Sequence, residues 1–259
     1  MQAATYLTSI DYATVSIYAF WVFFAGLVLY LIREGKREGY PLVNPNRPDL
    51  RPVVGFPDMP SPKTFLLADG TKVLAPKPEV EREIAMVPLD RTPGSPIIPT
   101  GDPMVDGVGP AAWVMRAMHP AVLYDDGTPS IVPLRIALDY SIDAADPDPR
   151  GYSVLDADGV VAGICVDVWI DKSEMIFRYI EVAVPTDMGA RHMMVPVPLI
   201  RVDGNRRVVK VRTLLAHHFA KAPTLSNRDS ITLREEDMVS AYCAGGQLFA
   251  KPERSEPLL

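Results

Sequence analysis

Tyr12 to Ile32 reads YATVSIYAFWVFFAGLVLYLI, twenty-one residues without a charge. Coiled as a helix at about 1.5 Å per residue, this stretch reaches roughly 31 Å, the hydrocarbon thickness of a bilayer. Tyr12 and Tyr30 fall near its two ends, where amphipathic rings favour the membrane interface. The residues before it hold one charge, Asp11, whereas Arg33, Lys36 and Arg37 follow it directly. A cleaved signal peptide has the reverse order, basic residues ahead of a shorter apolar run. The stretch therefore predicts a single membrane span. The positive flank puts the short N-terminus outside and the remainder of the chain in the cytoplasm. Arg33, Lys36 and Arg37 also stand at the level of lipid phosphates, which makes them candidates for contact with anionic lipid.

The rest of the 259-residue chain is long enough to bury a core of its own. Its formal charge of −6 argues against nucleic acid as a partner, because phosphate backbones are held by basic patches. Cys165 and Cys243 lie far apart without metal-ligand spacing, so they read as small apolar core residues of a reducing compartment. His119, His192, His217 and His218 form no metal-ligand pattern, and His217-His218 reads as packing at a helix edge. The sequence shows no glycine-rich phosphate loop and no nucleophile paired with a base. No catalytic residue and no metal site is assigned, and the chain is read as a non-enzyme.

Four regions follow: residues 1–11 outside the membrane, 12–32 as the span, 33–110 as a proline-rich extended segment, and 111–259 as a cytoplasmic domain. Between Pro41 and Pro110 lie fifteen of the 26 prolines. Proline fixes φ and removes a backbone donor, so this segment is neither long helix nor central strand. A hairpin is expected in KTFLLADGTKVLAP around Asp69-Gly70. From Ile131 onward short β-type runs are separated by turns such as Asp158-Gly159 and Asp203-Gly204-Asn205. Between Arg178 and Val184, Tyr179, Glu181 and Ala183 alternate with Ile180, Val182 and Val184. Five or six such strands predict a mainly β domain built as a small antiparallel barrel. Thr232 and Glu235 form a capping box opening a helix of about 12 residues, which Gly245-Gly246 would stop.

Several blocks, in order along nearly the whole chain, resemble the H subunit of the photosynthetic reaction centre of purple bacteria, a PRC-barrel family. They are REGYPLV (37–43), PKTFLL (62–67), PTGDPMVDGVGPAAW (99–113), VDVWID (166–171) and LREEDMVSAYCAGG (233–246). The resemblance implies a heterotrimer with pigment-binding L and M subunits, with a cytochrome subunit and light-harvesting antenna as further candidate partners, in the inner photosynthetic (chromatophore) membrane. Bacteriochlorophyll, bacteriopheophytin, ubiquinone or menaquinone, a non-haem iron and a carotenoid would belong to that complex and not to this chain. It further implies a cap on the cytoplasmic face of L and M that stabilises the complex and supports proton delivery to the secondary quinone. Packing beside such a core gives Ala19, Ala25 and Gly26 of the span a role in helix contact. The alternative is a membrane-tethered PRC-barrel adaptor for a non-photosynthetic partner.

A quinone that accepts electrons must also accept protons, which travel along titratable groups at hydrogen-bond spacing. Clustered carboxylates suit this because mutual repulsion raises some of their pKa values. By resemblance the matching positions are Asp171, Glu174, Arg178 and Glu235. Some family members carry a histidine pair near the proton entry. The corresponding stretch here, YDDGTPSIVP, has Asp125 and Asp126 instead, so either these carboxylates substitute or protons enter elsewhere, near His119.

Overall fold

The computed structural model describes residues 11–40, 55–68, 70–76, 82–92, 94–187 and 189–254. The chain divides into two compact units, residues 1–81 with 90–96, and residues 82–89 with 97–259.

In the first unit, helix α1 spans Tyr12–Gly35. Asp11 caps it, its carboxylate accepting from the Ala13 amide at 3.0 Å. A 3₁₀ turn over Lys36–Glu38 follows, and Gly39 ends it at φ +89° in the left-handed region. No residue of α1 is buried, although an 18-residue stretch within Tyr12–Glu38 has a mean hydropathy of 2.2. A helix apolar on every side and left uncovered by the other described residues requires lipid or a partner around it. Strands β1 (Lys63–Leu66) and β2 (Lys72–Ala75) pair antiparallel, with the Leu67 amide bonded to the Thr71 carbonyl at 2.9 Å. This is the expected hairpin; Asp69 itself lies outside the described residues.

The second unit opens with β3 (Met86–Pro88) and β4 (Ile97–Pro99), an antiparallel pair, and a one-turn helix α2 (Pro103–Asp106). The main sheet contains β5 (Ile131–Pro133), β6 (Ser153–Leu155), β7 (Val161–Asp171), β8 (Ile176–Thr186), β9 (Gly189–Pro196), β10 (Ile200–Asp203) and β11 (Val208–Val211). Its order is β10-β11-β6-β7-β8-β9, with β5 on β7. A 3₁₀ turn, Val197–Leu199, carries the chain from β9 at one end of that order to β10 at the other. The turns at Asp158-Gly159 and Asp203-Gly204-Asn205 join antiparallel neighbours as predicted. One pairing departs from the antiparallel pattern: β11 runs parallel to β6.

The alternation read in Arg178–Val184 is real, but both faces of β8 are covered. Ile180, Val182 and Val184 enter the barrel core with Val154, Val168 and Val209. Tyr179 faces the other way, into a second cluster with Trp169, Met194 and Ile231. That cluster is closed by Val239 of helix α4, which spans Leu233–Phe249. Cys165 and Cys243 are free and buried, and burial pushes each thiol up to about 12.

Helix α4 corrects the sequence reading at its far end. Gly245-Gly246 does not stop it; the helix continues to Phe249. These glycines are used for closeness, not for their φ freedom. A Cβ on Gly245 would come within 2.5 Å of the Ala111 Cβ, and one on Gly246 would collide with the Thr213 carbonyl oxygen. His218, on the short helix α3 (Ala216–Phe219), is buried and accepts from the Leu215 amide at 3.0 Å. Burial, with His217 beside it, pushes its imidazole down to about 4.

Candidate functional site

The longest strands, β7 and β8, form a hairpin whose tip is Lys172–Met175. Asp171 ends β7 and is buried, and its Oδ1 gathers the tip by accepting from the Ser173 amide (3.0 Å) and Ser173 hydroxyl (2.5 Å). Met175 turns the chain back in the left-handed region, φ +57°. Arg178 then reaches back from β8: Nε donates to Asp171 Oδ2 at 3.2 Å, and Nη2 lies 3.4 Å from Glu174 Oε2. The three residues expected together are therefore together. Asp171 is the enclosed member, Glu174 the exposed one, and Arg178 bridges them.

The expectation that clustering raises carboxylate pKa values fails at Asp171. Burial does push it up, but the Ser173 bonds and the Arg178 guanidinium outweigh burial and hold it below the usual range. Asp171 is a fixed anion.

Glu235, a proton-transfer position by resemblance, sits in the capping box read from the sequence. Its Oε2 accepts from the Thr232 amide (2.9 Å) and hydroxyl (2.8 Å), and its Oε1 from the Ser226 amide (2.7 Å). Burial raises this carboxyl, and those bonds more than reverse the effect. Glu235 is committed to capping α4. Its neighbour Glu236 faces the hairpin instead and accepts from the Tyr179 hydroxyl at 3.3 Å. Burial raises Glu236 above the ordinary carboxylate range; Tyr179, Arg178 and Arg116 draw it down by less, and Asp171 pushes it further up. Burial likewise pushes the Tyr179 phenol up to about 12. The carboxylate with a raised affinity for protons is thus the residue after the one expected.

Asp125 and Asp126 lie exposed in the turn before β5. Asp126 accepts from the Thr128 amide and hydroxyl, both at 2.8 Å, and these bonds hold its carboxyl low. The exposed His119 ring places Nδ1 3.1 Å from the Pro120 carbonyl. Among the candidate lipid contacts, Arg33 is exposed. Arg37 binds Glu34 at 3.0 Å. Lys36 is buried, and its ammonium donates to the Gly55 and Pro57 carbonyls. Two backbone acceptors in a buried setting take Lys36 out of the lipid-contact set.

A second ionic group had no signal in the sequence. Asp167 and Glu181 are register partners on β7 and β8, and both are 3% exposed. Arg135 Nη1 bridges them at 3.0 and 2.9 Å. Glu181 also meets His192 Nδ1 at 2.7 Å, Arg228 at 3.3 Å and the Trp169 indole N–H at 3.2 Å. Burial raises Glu181, but the Trp169 bond and the arginines bring it below its ordinary value. Every oxygen of that carboxylate is occupied, which marks a structural brace. Among the described residues no group of three His, Cys, Asp or Glu side chains is placed to hold a metal ion.

One membrane-length helix joined to a PRC-type barrel with a C-terminal helix defines a membrane-tethered PRC-barrel protein. The PRC-barrel domain model matches residues 143–215, and the model for the photosynthetic reaction centre, H-chain N-terminal region, matches residues 4–136. The chain belongs to the family of photosynthetic reaction centre H chains. It is accordingly a membrane-associated component of the reaction centre complex.

Proposed function

We propose that this chain caps the cytoplasmic face of the L and M subunits, with its N-terminus periplasmic, and supports proton delivery to the secondary quinone. The pigments, quinones and iron are held by L and M. The observation that carries the proton role is the grouping of Asp171, Arg178 and Glu174 at the β7–β8 tip, with Glu236 contributed by α4. Asp171 and Arg178 supply fixed charge. Glu174 stands exposed to solvent at the tip, and Glu236, disfavoured as an anion by burial, binds a proton more readily than a free carboxylate does. Arg33 faces lipid phosphate. The N-terminal family match supports this reading over an adaptor for an unrelated partner.

Two experiments test it. Purified from photosynthetic membranes, the chain should bring two pigment-bearing subunits with it; its isolation without them refutes the cap. Glu174→Gln should slow the proton-coupled second electron transfer to the quinone. An unchanged rate across about pH 6 to 9 removes Glu174 from the path.

A further inference from the structure

β11 leaves the sheet at Val211, and after Arg212 the backbone of Thr213 passes against α4 at Gly246. Thr213 is 3% exposed, yet its hydroxyl has no hydrogen-bond partner among the described residues. Folded proteins seldom leave a buried hydroxyl unpaired, so this one signals a missing acceptor or donor. The same residue lines a cavity of about 340 Å³ together with Pro198, Leu199, Arg212, Gln247 and Arg254. Small-molecule sites begin near this size, at about 300 Å³.

The polar lining has one character. Two guanidiniums, one carboxamide and one hydroxyl can all donate, and among the described residues the lining contains no carboxylate. Arg254 is held rigidly: Nη1 donates to the Gly246 (2.8 Å) and Thr213 (3.1 Å) carbonyls, and Nη2 to the Arg212 carbonyl (3.1 Å). Those neutral acceptors fix the guanidinium without cancelling its charge. Arg212 is exposed, and among the described residues no carboxylate pairs with it. Its planar fork suits bidentate binding of an oxyanion.

We propose that this cavity binds an oxyanion of the phosphate class. Arg254 supplies fixed positive charge, Arg212 closes over the anion, and the Thr213 hydroxyl and Gln247 amide orient its oxygens. The site is independent of the proton-transfer reading, because none of its residues belongs to the β7–β8 tip. A phospholipid headgroup and a soluble phosphate present the same chemistry, and experiment separates them.

The intact complex is purified in detergent as wild type, Arg212→Gln and Thr213→Val, with circular dichroism as the check on folding. Arg212 is exposed, so its replacement leaves the core untouched. Binding of inorganic phosphate is followed by ³¹P line broadening at constant ionic strength, and phospholipid retained per complex is measured in parallel. Phosphate should saturate the wild type and bind about tenfold or more weakly to Arg212→Gln, since losing even one of the two charge-assisted hydrogen bonds of the fork costs that much. Thr213→Val should weaken it in the same direction. Retained phospholipid that falls in both variants assigns the site to a headgroup; unchanged lipid with lost phosphate binding assigns it to soluble phosphate. Equal broadening and equal lipid in all three proteins overturns the site.

Discussion

Glu235 and Glu236 are adjacent and chemically identical, yet their surroundings shift the two carboxyls in opposite directions, which makes them a sharp test of the proposed site. Glu235→Gln removes a carboxylate that accepts three hydrogen bonds at the start of α4. Glutamine keeps one carbonyl acceptor, so the loss is that of a weakened cap, about 1 kcal/mol within the 0.5–2 range of cap substitutions. For a domain of this size that corresponds to a fall in Tm of roughly 2–4 °C. Glu236→Gln removes a carboxyl whose charged form is opposed by burial, while the Tyr179 hydroxyl keeps an acceptor in the amide oxygen. Stability at neutral pH should hold or rise. The sign follows from linkage: a folded-state pKa above the unfolded value gives stability that is full at low pH and lost as pH rises through the folded pKa. Removing the titration therefore flattens that decline. Scanning calorimetry and flash-induced proton uptake, run on both variants in the intact complex, give the two readouts. Glu235→Gln should lower Tm and leave uptake at neutral pH intact; Glu236→Gln should keep or raise Tm and change the pH profile of uptake. Loss of uptake in Glu235→Gln at unchanged Tm, or identical behaviour of the two variants, would refute the assignment.

Three further outcomes are expected. Arg135→Met leaves Asp167 and Glu181 buried without their bridge; His192 and Arg228 still serve Glu181, so the cost should sit near the low end of the 3–5 kcal/mol seen for broken buried pairs, about 3 kcal/mol by denaturant unfolding. Gly246→Ala, stabilising in an open helix by about 1 kcal/mol, should here be destabilising by about 1–2 kcal/mol net, because the carbonyl it strikes is backbone and cannot yield. Asp171→Asn should remove an acid-side loss of stability: the native carboxyl lies below its ordinary value, so its contribution is present above the unfolded pKa and is lost as pH falls through the folded one. A melting profile of the variant that still declines in parallel with wild type at low pH would contradict this.

The membrane helix was legible because its signal is local: length, absence of charge and flanking residues are all contiguous. The same holds for the β8 alternation and the Thr232–Glu235 capping box. Asp171, Glu174 and Arg178 also meet across one turn of chain. What sequence could not supply was register and approach distance. Asp167 and Glu181 face each other only because β7 pairs with β8 in one register, and Arg135 arrives from a separate segment. Gly245-Gly246 reads as a stop until Ala111 and Thr213 are seen beside it. At Glu235 the capping box was legible from the sequence, but that Glu236 beside it meets Tyr179 was not, because that contact depends on how α4 packs on β8.

The β7–β8 hairpin has one more consequence. Its strands are eleven residues each, and β8 is buried on both faces through its middle. The acidic tip thus stands on a stiff post, not on a loose loop. A backbone that cannot swing away cannot screen a new negative charge by moving. Under the proposed proton role, an electron arriving nearby would be met at the tip by its side chains and their protons and not by a shift of its backbone.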